Sequence, residues 1–351
     1  MAEPRSRAGS PLVRVVVPSR VDLAGGTLDI YPLYLLVPGA MTVNAAIRMA
    51  STVSIRPVRG SSRLVSDISS RRREAPDTHG FPARGEFGLV SAALRRFPPR
   101  AGIELRFRSE APVGSGIGAS SALLVAVFLA MDRLSGGQKG WRETARESME
   151  IEGAYLRNFT GTQDHIAALR GGIQGIRYLP GRVEAERIGP GSPAGRTLEA
   201  HGFLAGTGKS HFSAGLNWRM IRGAIDGNPG LLRKFRGIAA AARDAWEAVS
   251  AGEILRVGQA VAREWAIRRT LARGISTRTV DGLFSSPVFR ARVSGAKLCG
   301  AGGGGMMFGL LRDPGDREEV EGMLARGGFS PVPFRIAAGP RITVAGGTGA
   351  R

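Results

Sequence analysis

Residues 12–18 read Leu-Val-Arg-Val-Val-Val-Pro, an apolar pattern that predicts a strand. It delivers residues 19–29, where Gly25 and Gly26 followed by Thr27 mark a tight turn. Residues 41–47 and 51–58 predict two further strands, and residues 71–85, with two prolines, a polar loop. Residues 86–97 place Phe87, Val90, Leu94 and Phe97 at helical spacing. Residues 103–108 alternate strictly, as a half-buried strand does, and a glycine-rich stretch then leads into an apolar helix running to Leu134. A helix over 141–157 follows, with Met149, Ile151 and Tyr155 inward. After a turn at 160–163, a short helix ends before Gly171 and Gly172. Residues 173–178 and 183–188 predict a hairpin.

The segment 189–195, Gly-Pro-Gly-Ser-Pro-Ala-Gly, is the clearest linker signal. It suggests a first domain over 11–190 and a second over 196–346, while residues 1–10, polar and basic with no apolar core, read as a disordered leader. In the second, residues 202–205 form a short strand, and helices run from about 212 to 273 with a break near 227–230. Ile254, Val257, Val261 and Trp265 form a stripe suited to core packing. A second glycine-rich segment runs into a strand over 306–311. A helix over 313–326 and strands over 332–336 and 341–345 close the chain.

Composition changes this picture in two places. The formal charge is +20, but only four of the 49 basic residues are lysine, and aromatics are 6% of the chain. No basic tract is interleaved with aromatics. The arginine excess therefore reads as solvated surface, while nucleic-acid binding stays as the reading from another class. The single cysteine, Cys299, rules out an internal disulfide, and no apolar run is long enough to span a membrane. A cytoplasmic location without membrane contact is expected. Cys299, among glycines, reads as a small packed residue.

The chemistry concentrates between Ala111 and Ala122, Ala-Pro-Val-Gly-Ser-Gly-Ile-Gly-Ala-Ser-Ser-Ala. Glycines at 114, 116 and 118 let the backbone approach a ligand closely, and the helix that follows offers unpaired N–H groups and the positive end of its dipole. Gly114-x-Gly116-x-x-Ala119 also matches a dinucleotide fingerprint. That reading needs an acid about 20 residues on at a strand end, and residues 135–139 lie between helices. A triphosphate site is the better reading. Residues 205–210, Ala-Gly-Thr-Gly-Lys-Ser, imitate a P-loop, but Phe203 occupies the place of its first glycine. Lys209 is as readily a solvated loop residue as a ligand contact. Asp164 could cap the short helix, and Asp22 or Asp29 could serve the turn. The four histidines are not spaced for a metal.

Three motifs together resemble the GHMP kinases, the superfamily of galactokinase, homoserine, mevalonate and phosphomevalonate kinases. They are Arg20-Val-Asp-Leu-Ala-Gly-Gly-Thr-Leu-Asp29, Pro112-Val-Gly-Ser-Gly-Ile-Gly-Ala-Ser-Ser-Ala122 and Lys297-Leu-Cys-Gly-Ala-Gly-Gly-Gly-Gly305, in the family's order. The resemblance implies an α+β fold of two domains, an N-terminal mixed sheet with helices and a C-terminal ferredoxin-like domain, with the active site between them. It implies an ATP- and Mg²⁺-dependent kinase. Pro112, Gly114, Ser115, Gly116, Ile117, Gly118, Ala119, Ser120 and Ser121 would wrap the nucleotide phosphates. Ser121 and Glu152 would hold Mg²⁺. Asp164 would be the catalytic base, oriented by Arg20. Asp22, Gly25, Gly26, Thr27 and Asp29 would meet the substrate, with Gly302 and Gly303 closing the site.

The galactokinase Glu and His of the first motif are absent here, where Gly26 and Thr27 stand. The segment looks more like the heptose-phosphate kinase and fucokinase branch. A sugar or sugar-phosphate acceptor is expected, in a monomer or homodimer, with a mevalonate-type acceptor as the alternative.

Overall fold

The computed structural model describes residues 11–345 apart from 97, 100, 209–213 and 301. The expected leader, Lys209 and the helical position of Phe97 lie outside the described residues. In chain order the first half contains β1 (Leu12–Ala24), α1 (Leu33–Leu36), β2 (Met41–Pro57), β3 (Ser62–Ser66), β4 (Arg71–Ala75), α2 (Gly88–Arg96), β5 (Ile103–Ser109), α3 (Ala119–Leu134), α4 (Trp141–Leu156), α5 (Gln163–Arg170), β6 (Ile173–Leu179) and β7 (Arg182–Ile188). The second half contains α6 (Pro193–His201), β8 (Gly202–Gly206), α7 (Ala214–Ile225), α8 (Pro229–Ala251), α9 (Ile254–Arg268), α10 (Arg278–Ser285), α11 (Pro287–Arg292), β9 (Val293–Leu298), β10 (Met306–Leu311), α12 (Arg317–Arg326), β11 (Ser330–Val332) and β12 (Arg341–Ala345).

The first half, joined by β12 from the end of the second, builds a mixed sheet in the order β12-β1-β2-β5-β3-β4, with β6 and β7 extending from β2. Among the described residues, only β3 and β5 pair in parallel. The first half of β1 alternates, burying Val13, Val15 and Val17 against α2 and α3. Its second half, Ser19 to Ala24, is buried throughout because helices from both halves of the chain cover it. Alternation disappears there, so the strand runs six residues beyond its predicted end. The two strands expected over 41–58 are one strand, β2, in which the pairing slips: Pro18 faces Ala50 and Ser19 faces Ile47, leaving Arg48 and Met49 bulged. The polar loop expected over 71–85 instead opens with β4. This is an edge strand made mostly of charged residues, a composition that discourages pairing with another chain.

The second sheet is antiparallel, in the order β11-β8-β10-β9. Numbered along the chain its strands run fourth, first, third, second, which is the ferredoxin-like order. Val257, Val261 and Trp265 are buried as the stripe predicts, with Ile254 packed at its margin. The linker segment already starts α6, whose first turn is capped by the Ser192 hydroxyl accepting from the Gly195 amide at 3.0 Å. On the outer face of the first sheet, arginines meet carboxylates: Arg56 with Glu104 at 2.8 Å and Arg106 with Asp67 at 2.6 Å. No helix among the described residues is long and apolar enough to cross a membrane.

Candidate active site

The glycine-rich loop lies between β5 and α3, and its residues alternate in role. Gly114, Gly116 and Gly118 all take the left-handed conformation, with φ of 73°, 73° and 71°. Ser115 and Ile117 point inward and are buried, while Pro112 is exposed at the loop's entry. Gly118 is the N-cap of α3 and carries no side-chain cap, so the first amides of that helix face the loop. Two backbone bonds fix the loop. The Arg20 amide donates to Ile117 O at 2.9 Å, and the Met306 amide donates to Ser115 O at 2.8 Å.

The second glycine-rich segment packs directly on the first. A side chain at Gly116 would stand 2.6 Å from Cys299 O, and one at Gly305 would stand 2.5 Å from Ser115 O. The close approach of two backbones is what the glycines allow. Gly303 donates its amide to Ile275 O at 2.7 Å, which pins Gly302 and Gly303 to the loop after α9. Cys299 is buried in this contact, and burial pushes its thiol up to about 12.

Arg20 and Asp164 meet beside the loop although 144 residues separate them. Arg20 Nε and Nη2 reach Asp164 Oδ1 at 2.7 and 2.6 Å, and Nη1 donates to Gly116 O at 2.7 Å. Burial disfavours the Arg20 charge, but Asp164 and then Asp22 more than offset it. Asp164 is not the cap of α5; Thr162 holds that place and Asp164 lies in the first turn. Its side chain is 23% exposed, and Oδ2 accepts no hydrogen bond among the described residues. Gly118 closes over it: a Cβ there would touch Oδ2 at 3.1 Å. One carboxylate oxygen is thus held, and the other is left for a ligand at the mouth of the glycine loop.

The start of α3 also meets α4. Ser120 Oγ donates to Glu152 Oε1 at 2.5 Å and Ser121 Oγ to Oε2 at 2.6 Å. Ser120 is exposed and Ser121 buried. Burial alone would raise the Glu152 carboxyl. The His165 imidazole, 3.1 Å from Oε2, and the two hydroxyls reverse that and hold it below its ordinary value. An ionised carboxylate with two hydroxyls forms a hard-oxygen donor set that fits Mg²⁺. His165, absent from the expected site, stands next to Asp164 in the sequence, but nothing in its spacing marks the contact.

Asp29 accepts from the Gln163 amide at 3.1 Å, which ties the first motif to the start of α5. Burial, and then the charge of Asp164, push its carboxyl up to about 6. Asp22 is placed differently from the expectation that it meets the substrate. It is buried beneath the turn and held by Lys297 Nζ at 2.8 Å. Burial opposes its charge, but Lys297, Arg268 and Arg20 together keep it below the ordinary carboxylate range. Gly25 and Thr27 carry φ of 89° and 76°, and the turn they make carries Asp29 to the start of α5, next to Asp164 in sequence.

The raised carboxyl at Asp29 has a definite sign. The native state keeps a proton that the unfolded chain has already lost between the ordinary carboxylate value and about pH 6. Native stability therefore falls as pH rises through that window and levels off above it, a penalty of roughly 3 kcal/mol. Asp29→Asn should raise the melting temperature more at pH 8 than at pH 4. An equal change at both pH values would contradict the assignment.

A two-lobed chain with a glycine cradle, a paired Arg and Asp at its mouth and a Ser–Glu cluster at the helix start has the architecture of a small-molecule phosphotransferase. The description "GHMP kinases N terminal domain" matches residues 87–172, and "GHMP kinases C terminal" matches residues 245–328. The chain thus carries an N-terminal and a C-terminal GHMP kinase domain. It is 25% identical over 328 residues to the bifunctional fucokinase/GDP-fucose pyrophosphorylase of Arabidopsis thaliana, covering 88% of this chain and 30% of that protein. It is 24% identical over 311 residues to the D-glycero-alpha-D-manno-heptose 7-phosphate kinase of Campylobacter jejuni, covering 84% and 88%. The chain spans about a third of the length of the bifunctional fucokinase proteins it matches. Its fold is shared with a D-glycero-D-manno-heptose 1-phosphate kinase from Bacteroides thetaiotaomicron, with TM-score 0.74, 22% identity and coverage of 94% and 98%.

Proposed function

We propose that the protein transfers the γ-phosphoryl group of ATP to a hydroxyl of a sugar or sugar phosphate. One observation carries the reading: the Arg20–Asp164 pair is bonded to the same loop that forms the phosphate cradle, through Gly116 O. A base and a phosphate site fixed to one another in this way suit in-line transfer, which depends on positioning and charge neutralisation more than on covalent chemistry. The cradle amides and the start of α3 take the phosphates. Ser121 and Glu152, with Ser120 beside them, would hold Mg²⁺, which when bound screens the phosphate charge. Asp164 Oδ2 receives the proton of the acceptor hydroxyl as the oxygen–phosphorus bond forms, and ADP leaves with the electron pair of the broken bond. Arg20 keeps Asp164 aimed. Asp29 accepts hydrogen bonds from neighbouring acceptor hydroxyls.

The acceptor class rests on the first motif, where Gly26 and Thr27 replace the galactokinase Glu and His, and on the relatives named for heptose-phosphate and fucose kinases. An ADP-release screen over hexoses, 6-deoxyhexoses, heptoses, their phosphates and mevalonate tests it. A sugar or sugar phosphate should give the highest kcat/KM. Highest turnover with mevalonate would overturn the acceptor class and keep the kinase.

A further inference from the structure

Beneath the first motif lies a chain of four charged side chains that phosphoryl transfer does not use. Asp22, Lys297, Glu264 and Arg268 are all 0–2% exposed and come from β1, β9 and α9. Lys297 Nζ sits between Asp22 Oδ2 at 2.8 Å and Glu264 Oε2 at 3.0 Å. Glu264 Oε1 accepts from Arg268 Nε at 2.6 Å and lies 2.5 Å from Nη2. The rest of the guanidinium reaches the substrate turn: Nη1 to Thr27 Oγ1 at 3.2 Å and Nη2 to Gly26 O at 2.6 Å.

Two features need an explanation. Burying two complete ion pairs is no economical route to stability, because apolar residues of similar volume serve as well or better. Thr27 also holds a left-handed backbone, φ 76°, which a β-branched residue avoids. Both make sense together. The planar fork of Arg268 grips one carbonyl and one hydroxyl of the turn, and Glu264 fixes the fork. Lys297 and Asp22 tie that grip to β1 and to the second glycine-rich segment, where Lys297 is the first residue of the motif. The turn ends at Asp29, whose carboxylate accepts from the amide of Gln163, the residue before Asp164.

We infer that Arg268, with Glu264, Lys297 and Asp22 behind it, is a positioning residue for acceptor recognition, holding residues 25–29 in the conformation that presents Asp29. The inference rests on the kinase reading for its functional half and on the geometry alone for its structural half. It predicts a division of labour: the network governs the acceptor side of the site and leaves the nucleotide side alone.

Arg268→Lys and Glu264→Gln test it on the full chain, with hydrogen exchange and steady-state kinetics read side by side. A lysine keeps the charge but cannot fork. The expected result is faster amide exchange confined to peptides containing residues 25–29, an acceptor KM raised at least tenfold and an ATP KM within twofold of the parent. Thr27→Ser, which keeps the hydroxyl that Arg268 grips, should exchange at 25–29 as the parent does, where Thr27→Val should exchange faster. Two results would overturn the inference: exchange at 25–29 equal to the parent, or an acceptor KM unchanged while only the folded fraction drops. Should the parent phosphorylate no acceptor, the kinase reading fails, and the exchange at 25–29 still decides whether the network holds the turn.

Discussion

Asp164→Asn lowers turnover by about 100- to 10,000-fold while ATP affinity stays within a few-fold of the parent. The asparagine keeps the size of the side chain and an oxygen that can accept from Arg20. It loses the oxygen that can take a proton at Oδ2, which accepts no hydrogen bond among the described residues. The glycine cradle is fixed by the amides of Arg20 and Met306, not by the Asp164 side chain, so the nucleotide side should survive. The substitution also leaves the buried Arg20 without its main counter-ion, and melting should fall. Rates are therefore compared per folded molecule. Undiminished turnover in folded Asp164→Asn would remove Asp164 as the base.

Gly116→Ala should be the most damaging single change in the cradle. Its φ of 73° costs an alanine roughly 1–2 kcal/mol. The added methyl would also stand 2.6 Å from Cys299 O, a backbone atom that cannot swing aside. The two glycine-rich segments must part, and Gly116 O, the acceptor for Arg20 Nη1, moves with them. Both the melting temperature and ATP affinity should fall, the latter at least tenfold. Gly136→Ala is the matched control: its φ is 75°, nothing lies within 4 Å of the added methyl, and it sits in the loop after α3. It should cost the backbone term alone and leave ATP affinity unchanged. Equal effects from the two substitutions would show that the packing of the two segments does not matter.

What the sequence revealed divides along physical lines. β5, half in water, announces itself by alternating, and α3, buried along most of its length, by one long apolar run behind a glycine cap. Elements without contrast between faces do not. The far half of β1 is buried on both sides, β4 is charged on both, and β9, Val-Ser-Gly-Ala-Lys-Leu, is buried at every position with a lysine among them. At the site, the cradle and Arg20 lie within local motifs, and the roles of Glu152 and Asp164 came only from the resemblance those motifs carry. The network behind Thr27 was not legible. Glu264 and Arg268 show the four-residue spacing of a helical ion pair, yet such spacing is common on solvated faces. That this pair is buried, and that Lys297 joins it from β9, is decided only by the packing of α9 against the second sheet.

The central claim, that one loop-bound Arg–Asp pair moves a phosphoryl group to a sugar hydroxyl, is tested most directly by following the label from ATP carrying a marked γ-phosphate. With the preferred acceptor present, the parent should place the label on the acceptor in step with ADP formed, and Asp164→Asn should bind ATP but leave the label there. Label released only as inorganic phosphate, or reaching the acceptor equally fast in both proteins, would contradict the account.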